Sequence, residues 1–185
     1  VRAARAVMET TPHVMLAGEG AAAFAAAAGL ERVGPEWFTP AGREVRLGGG
    51  KGTGTVGCVA LDETGALAAA TSTGGTHGKL FGRVGDSPLV GAGVWADERV
   101  AVSCTGAGEY FIRAAAAAQL SFRLALAGQT LAESAVATLA AVGALGGSGG
   151  LIALSAEGEI VMPFTTAGMK RACLRPDGAI ETAVF

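Results

Sequence analysis

The sequence changes character at one point. The run Gly48-Gly-Gly-Lys-Gly-Thr-Gly54 has no hydrophobic period and little that can pack, so it predicts a mobile linker. At Thr55 it stops, and Val56-Gly-Cys-Val-Ala-Leu61 begins a strand-like apolar run at once. Any fold for this chain must therefore join an open loop directly to a packed strand. The residue at that junction has unusual chemical potential. Cleavage of the Gly54–Thr55 peptide gives Thr55 a hydroxyl and a free α-amine together, a nucleophile with its own general base. An α-amine titrates at about 7.7–8.0 and is partly neutral near pH 7, whereas a lysine at about 10.4 needs a large shift to do the same.

The boundary divides the 185 residues into 1–54, with the linker, and 55–185, as parts of one structural domain. Residues 2–9 predict the end of an amphipathic helix, 13–17 a strand or buried connector, 18–20 a turn, and 21–28 a short alanine-rich helix closed by Gly29. Beyond the junction, 55–61 and 67–72 read as two strands buried on both faces, joined by the turn Asp62-Glu-Thr-Gly65. A glycine-rich loop over 74–86 follows, then a second hairpin of 89–96 with 99–104. Next comes one long helix over 109–127, with Phe111, Ala115, Ala118, Phe122 and Leu126 on one face and Gly128 as its cap. Thr130-Leu-Ala-Glu133 has capping-box spacing and opens another helix to about Leu145. A last hairpin joins 151–155 to 160–164, and 179–185 adds an edge strand. The order predicts an α+β fold: a largely antiparallel sheet, or two stacked sheets, with helices packed outside.

Composition narrows the partners. A net charge of −2 without a basic block argues against nucleic acid and anionic membrane. The apolar windows at 20–30 and 114–127 are too short to span a bilayer, and Gln119 and Arg123 interrupt the second. Three cysteines, Cys58, Cys104 and Cys173, lack metal-ligand spacing and read as buried free thiols of a reducing, cytoplasmic protein. His13 and His77 stand apart from other ligand types, so no metal site is expected. The sequence opens in mid-pattern at Val1-Arg-Ala-Ala-Arg5 and reads as a fragment.

Three further groups of residues are equipped for chemistry. A hairpin sets its outer ends side by side, which brings the Thr73 hydroxyl towards Thr55, either to orient the base or simply to satisfy a strand end. Arg83 and Asp86 share one glycine-punctuated loop. They form either a structural ion pair or a receptor for an α-amino acid, with the guanidinium on its carboxylate and the carboxylate on its ammonium. Thr105 and the Gly106 N–H lie at a strand-to-helix turn, where they either cap the helix or face a developing oxyanion.

Taken together, Thr55-Val-Gly-Cys-Val-Ala-Leu-Asp62, Ala69-Ala-Thr-Ser-Thr-Gly-Gly75, Gly82-Arg-Val-Gly-Asp-Ser-Pro88, Ser103-Cys-Thr-Gly-Ala-Gly-Glu109 and Leu145-Gly-Gly-Ser-Gly-Gly-Leu151 resemble the plant-type L-asparaginase/isoaspartyl peptidase family. Its members are N-terminal-nucleophile hydrolases of the threonine type. Ala6-Val-Met-Glu9, Pro12-His-Val-Met15 and Gly18-Glu-Gly20 resemble the end of that family's α subunit. The resemblance implies a four-layer αββα sandwich whose N-terminal part is missing here, cut between Gly54 and Thr55 into α and β subunits that stay together and pair into (αβ)2. It implies Thr55 as nucleophile, Thr73 as the second threonine, and Thr105 with Gly106 as the oxyanion hole. Arg83, Asp86 and Gly108 would bind the substrate's α-carboxylate and α-amine. The implied reaction is hydrolysis of the side-chain amide of asparagine or of β-aspartyl dipeptides through a β-aspartyl ester on Thr55, with no cofactor. The family's sodium-binding loop has no counterpart in this sequence. Phe81 stands where many relatives carry proline. A glycosylasparaginase-like amidase is the neighbouring reading, against which the Gly-Thr junction argues, and an inactive scaffold is the alternative of a different class.

Overall fold

The computed structural model describes residues 1–34 and 53–185. Of the predicted linker over 41–54, residues 41–52, with Pro35 and Pro40 before them, lie outside the described residues, and Thr53 and Gly54 are not linker but the first residues of a strand. The chain divides into two units, Val1–Gly52 and Thr53–Phe185.

The first unit carries α1 (Arg2–Thr10) and α2 (Gly18–Ala27). Arg5 and Glu9 pair one turn apart on α1 at 2.7 Å. Residues 13–17 form no strand, and the predicted turn at 18–20 is instead the first turn of α2. Gly29, with φ +69°, follows its end as expected.

The second unit holds every residue singled out for chemistry. Strands β1 (Thr53–Leu61) and β2 (Leu67–Thr76) form an antiparallel hairpin. Its turn is set by Asp62 Oδ1, which accepts the Thr64 and Ala66 N–H groups at 2.8 and 2.9 Å. A four-stranded antiparallel sheet runs in the order β3 (Val94–Ala96), β4 (Val100–Gly106), β5 (Gly149–Ser155), β6 (Ile160–Val161). Three helices follow β4: α3 (Gly108–Ala114), α4 (Ala116–Ala127) and α5 (Leu131–Ala144). A separate hairpin, β7 (Arg171–Leu174) with β8 (Ile180–Ala183), completes the unit. The fold is α+β.

Strand β4 is the middle of these layers. Its alternate residues Val100, Val102 and Cys104 join Leu151 and Ala153 of β5 in one core with Phe111, Ala117, Leu120, Leu139 and Val142 of the helices. The other face of β4 takes the β1–β2 hairpin: Ser103 Oγ lies 2.7 Å from Thr71 Oγ1. A side chain at Gly57 would collide with Ser103, so glycine is what lets the hairpin lie this close. The second face of the hairpin departs from the prediction of burial on both sides. Val56 is 75% exposed, and Cys58 and Ala60 are exposed beside it, so Cys58 is not a buried thiol. Cys104 is buried, as expected, and burial pushes its pKa up.

The single helix predicted over 109–127 is two helices. Ala115 adopts the left-handed conformation (φ 46°, ψ 47°) between them. The amides of Ala117 and Ala118, which a continuous helix would bond to its own preceding turn, donate to the carbonyls of Ala92 and Gly91 at 3.1 and 2.9 Å. The break rotates the second half. Leu120 is fully buried, whereas Phe122 and Leu126 of the predicted face are 51% and 85% exposed. The capping box at Thr130 and Glu133 forms as predicted, with the Glu133 N–H donating to Thr130 Oγ1 and the Thr130 N–H to Glu133 Oε2.

Candidate active site

The Gly54–Thr55 peptide, the expected point of cleavage, lies in the hairpin. Thr55 is directly opposite Thr73, and the register slips between Thr53 and Thr55, because Thr53 faces Thr76. This irregularity takes Gly54 out of the regular ladder, leaving its carbonyl open to a side chain. Thr73 fills that vacancy: its Oγ1 donates to the Gly54 carbonyl oxygen at 2.9 Å. Thr73 Oγ1 itself accepts the Thr55 hydroxyl at 3.3 Å and the Gly75 N–H at 3.0 Å. A hydroxyl has one donor and two acceptor positions, and all three are used here. The result is a continuous chain of hydrogen bonds from the hydroxyl of Thr55 to the carbonyl of the peptide just before it.

The second group surrounds Asp86. This carboxyl is only 5% exposed, and its Oδ2 has no hydrogen-bond partner among the described residues. Desolvation raises its pKa, with the nearby Arg83 charge opposing the shift. The structural Arg83–Asp86 ion pair left open by the sequence does not form. Arg83 pairs instead with Glu109, Nε to Oε1 at 2.8 Å, which raises the arginine's pKa and lowers the glutamate's. Gly108 packs against both Arg83 and Asp86. A Cβ there would lie 2.7 Å from Asp86 Oδ1 and 3.1 Å from Arg83 Nη2, so only glycine fits without displacing them.

Thr105 and Gly106 end β4, opposite Gly150 and Gly149 of β5. Gly106 has φ +145°, and a Cβ on it would lie 2.5 Å from the Ser148 carbonyl oxygen. The chain turns at once into α3, with the Ala107 N–H donating to Ser148 O at 3.0 Å. No capping side chain takes part at this helix start, so helix capping does not explain Thr105.

Residues that the sequence did not single out connect these groups. Gly93 packs on Asp86, where its Cβ would come within 2.8 Å of Oδ2, and its carbonyl accepts Thr71 Oγ1 at 3.2 Å and the Cys104 N–H at 2.9 Å. Gly57, Thr71 and Ser103 meet at one point, and Thr55, Thr73 and Thr105 each lie two residues along their strands from it. Lys79 Nζ donates to the Gly74 carbonyl at 2.5 Å and so ties the loop to the end of β2. Glu109 stood in a quoted motif, but nothing in its spacing from Arg83, 26 residues away, marks it as a partner. His77 is exposed, and the described residues contain no cluster of His, Cys, Asp or Glu suited to a metal ion. No helix among them is long and apolar enough to cross a membrane.

The family model described as Asparaginase matches residues 1–48 and 41–184. The chain is 51% identical over 192 residues to the isoaspartyl peptidase of Escherichia coli (strain K12), covering 93% of this chain and 60% of that protein. It is 38% identical to the probable isoaspartyl peptidase/L-asparaginase 2 of Arabidopsis thaliana, over 98% of this chain and 67% of that one. It is 39% identical to the human isoaspartyl peptidase/L-asparaginase, over 100% of this chain and 64% of that one. The chain thus spans about three-fifths of the length of such curated relatives. On the matched family model and these identities, the chain belongs to the asparaginase family.

Proposed function

We propose that this protein is a self-processing threonine hydrolase that cleaves the side-chain amide of L-asparagine and the β-aspartyl bond of isoaspartyl dipeptides. The hydrogen-bonded chain from Thr55 through Thr73 to the Gly54 carbonyl carries the proposal.

In processing, Thr55 Oγ1 attacks the Gly54 carbonyl carbon. Its proton passes to Thr73 Oγ1 while Thr73 gives its own proton to the carbonyl oxygen, so the adduct forms without separated charge. The adduct's hydroxyl proton moves to the Thr55 nitrogen, the C–N bond breaks, and Gly54 is left as an ester on Thr55. Breaking that bond frees the α-amine, and water then hydrolyses the ester, releasing the Gly54 carboxylate and restoring the Thr55 hydroxyl. In turnover, that amine takes the Thr55 hydroxyl proton as the oxygen attacks the substrate's side-chain amide. The proton then goes to the departing ammonia or amino acid, leaving a β-aspartyl ester that water releases as aspartate.

Arg83 holds the α-carboxylate, and Asp86, whose Oδ1 lies close to Gly108 and whose Oδ2 is unpartnered, receives the α-ammonium. Both substrates keep these two groups free, so one receptor serves both. Thr105 and the Gly106 N–H stabilise the oxyanion, a donor type whose loss costs about 2.7–4 kcal/mol in other hydrolases. Every step draws on residues 54–108. On this reading, residues 1–54 belong to an α subunit and 55–185 to a β subunit, the layers of the second unit are part of a four-layer αββα sandwich, and the subunits pair as (αβ)2 in the cytoplasm.

Denaturing mass spectrometry tests the proposal. The wild-type chain should give two fragments cut between Gly54 and Thr55, and Thr55→Ala one intact chain. A wild-type protein that hydrolyses asparagine with the Thr55 nitrogen still acylated would overturn it.

A further inference from the structure

The Arg83–Glu109 contact has a geometry that a simple surface ion pair does not need. A guanidinium meets a carboxylate with two parallel N–H groups either side-on, through Nε and one Nη, or end-on, through Nη1 and Nη2. In Arg83 the Nε position is taken by Glu109 Oε1 at 2.8 Å. The arginine side chain is 15% exposed and the glutamate 56%, so the contact holds a mostly buried side chain from its solvent side. On its other edges the guanidinium is flanked by glycines. A Cβ at Gly85 would lie 2.8 Å from Nη1, and one at Gly108 would lie 3.1 Å from Nη2. No side chain on these two neighbours covers the Nη pair.

We propose that Glu109 is a positioning residue for substrate binding: by occupying Nε of Arg83, it directs the Nη1–Nη2 edge at the α-carboxylate and imposes an end-on grip. The inference rests on the reading of Arg83 given above and adds a residue that acts only through it. Glu109 touches neither the substrate nor the reacting atoms. It keeps a flexible side chain in the one orientation the glycines leave open, so its loss lowers affinity and leaves the chemistry at Thr55 alone. Self-cleavage involves no substrate carboxylate and is independent of Glu109.

The test is steady-state kinetics on processed protein, with asparagine as the probe, for Glu109→Ala, Glu109→Gln, Arg83→Ala and the Arg83→Ala/Glu109→Ala double variant. Glu109→Ala should raise KM roughly tenfold, the loss of one charge-assisted hydrogen bond, with kcat changed by less than about twofold. Glu109→Gln, whose amide oxygen still accepts from Nε, should recover most of the loss. In the Arg83→Ala background, Glu109→Ala should add nothing, and self-cleavage should run at the wild-type rate in Glu109→Ala and Glu109→Gln. A KM unchanged in Glu109→Ala while Arg83→Ala raises it would overturn the role of Glu109 alone. A KM unchanged in Arg83→Ala would remove the reading of Arg83 itself. A fall in kcat and in self-cleavage for Glu109→Ala would make the residue structural and overturn the proposal, as would a Gln variant no better than Ala.

Discussion

Replacing Thr73 by valine keeps the shape of the side chain and removes one oxygen. That oxygen donates to the Gly54 carbonyl at 2.9 Å, and accepts from the Thr55 hydroxyl at 3.3 Å and the Gly75 N–H at 3.0 Å. Residues 54 and 73 are exposed, so water can satisfy the groups left behind, and folding stability should change by less than about 1 kcal/mol. The rate of self-cleavage should respond far more. The Gly54 carbonyl loses the donor that meets charge developing on its oxygen, and Thr55 loses the acceptor for its proton. Removal of one such donor costs about 2.7–4 kcal/mol where water is excluded, or 10²–10³-fold in rate. At this exposed site water replaces part of the contact, so we expect the lower end, about 10²-fold slower processing. The assay is the disappearance of the intact 18.2 kDa chain with time by denaturing mass spectrometry, with Thr73→Ser as the control that keeps the hydroxyl. If the valine variant cleaves within a few-fold of wild type while its thermal midpoint is unchanged, Thr73 is not the relay.

Four other outcomes are expected. Asp86→Asn should abolish asparagine turnover yet raise stability by about 1 kcal/mol, or ~2–4 °C in thermal midpoint, because a buried carboxylate oxygen without a partner is replaced by a neutral group. The pKa of Asp86 is raised in the fold, so its contribution to stability is fully present below the unfolded value of about 3.9 and is lost as pH rises through the folded value. The wild-type minus Asn difference in unfolding free energy should therefore become less favourable to wild type across that window, and a difference that does not vary with pH would refute the assignment. The same raised pKa predicts that KM for asparagine begins to rise on acidification at a higher pH than an ordinary carboxylate would give, as steady-state profiles can show. Ala115→Gly should stabilise by up to about 1 kcal/mol in urea titration, since φ 46° strains an alanine and not a glycine, and destabilisation would show that strain there is negligible. Gly106→Ala should lower the thermal midpoint sharply, a loss on the order of 2–3 kcal/mol, because the new methyl meets the Ser148 carbonyl and the backbone is held at φ +145°.

The sequence alone determined what depends on neighbours along the chain. The turn at Asp62 and the equal reach of the strands on either side of it put Thr55 against Thr73. The capping box opened α5 where Thr130 and Glu133 predict it. The α+β class followed from local pattern as well. Tertiary structure decided whatever depends on groups far apart in sequence. The carbonyls of Gly91 and Ala92 took the amides that would have continued one helix past Ala115, and this turned Phe122 and Leu126 outward. Arg83 had a carboxylate three residues away, yet its partner is Glu109, because the fold buries Asp86 beside Gly93 and brings the first turn of α3 to Nε. Local periodicity reports which face of a segment is apolar, but not what will lie against it. An orphaned carboxylate oxygen and a glycine-flanked guanidinium exist only once separate strands and helices have closed around them.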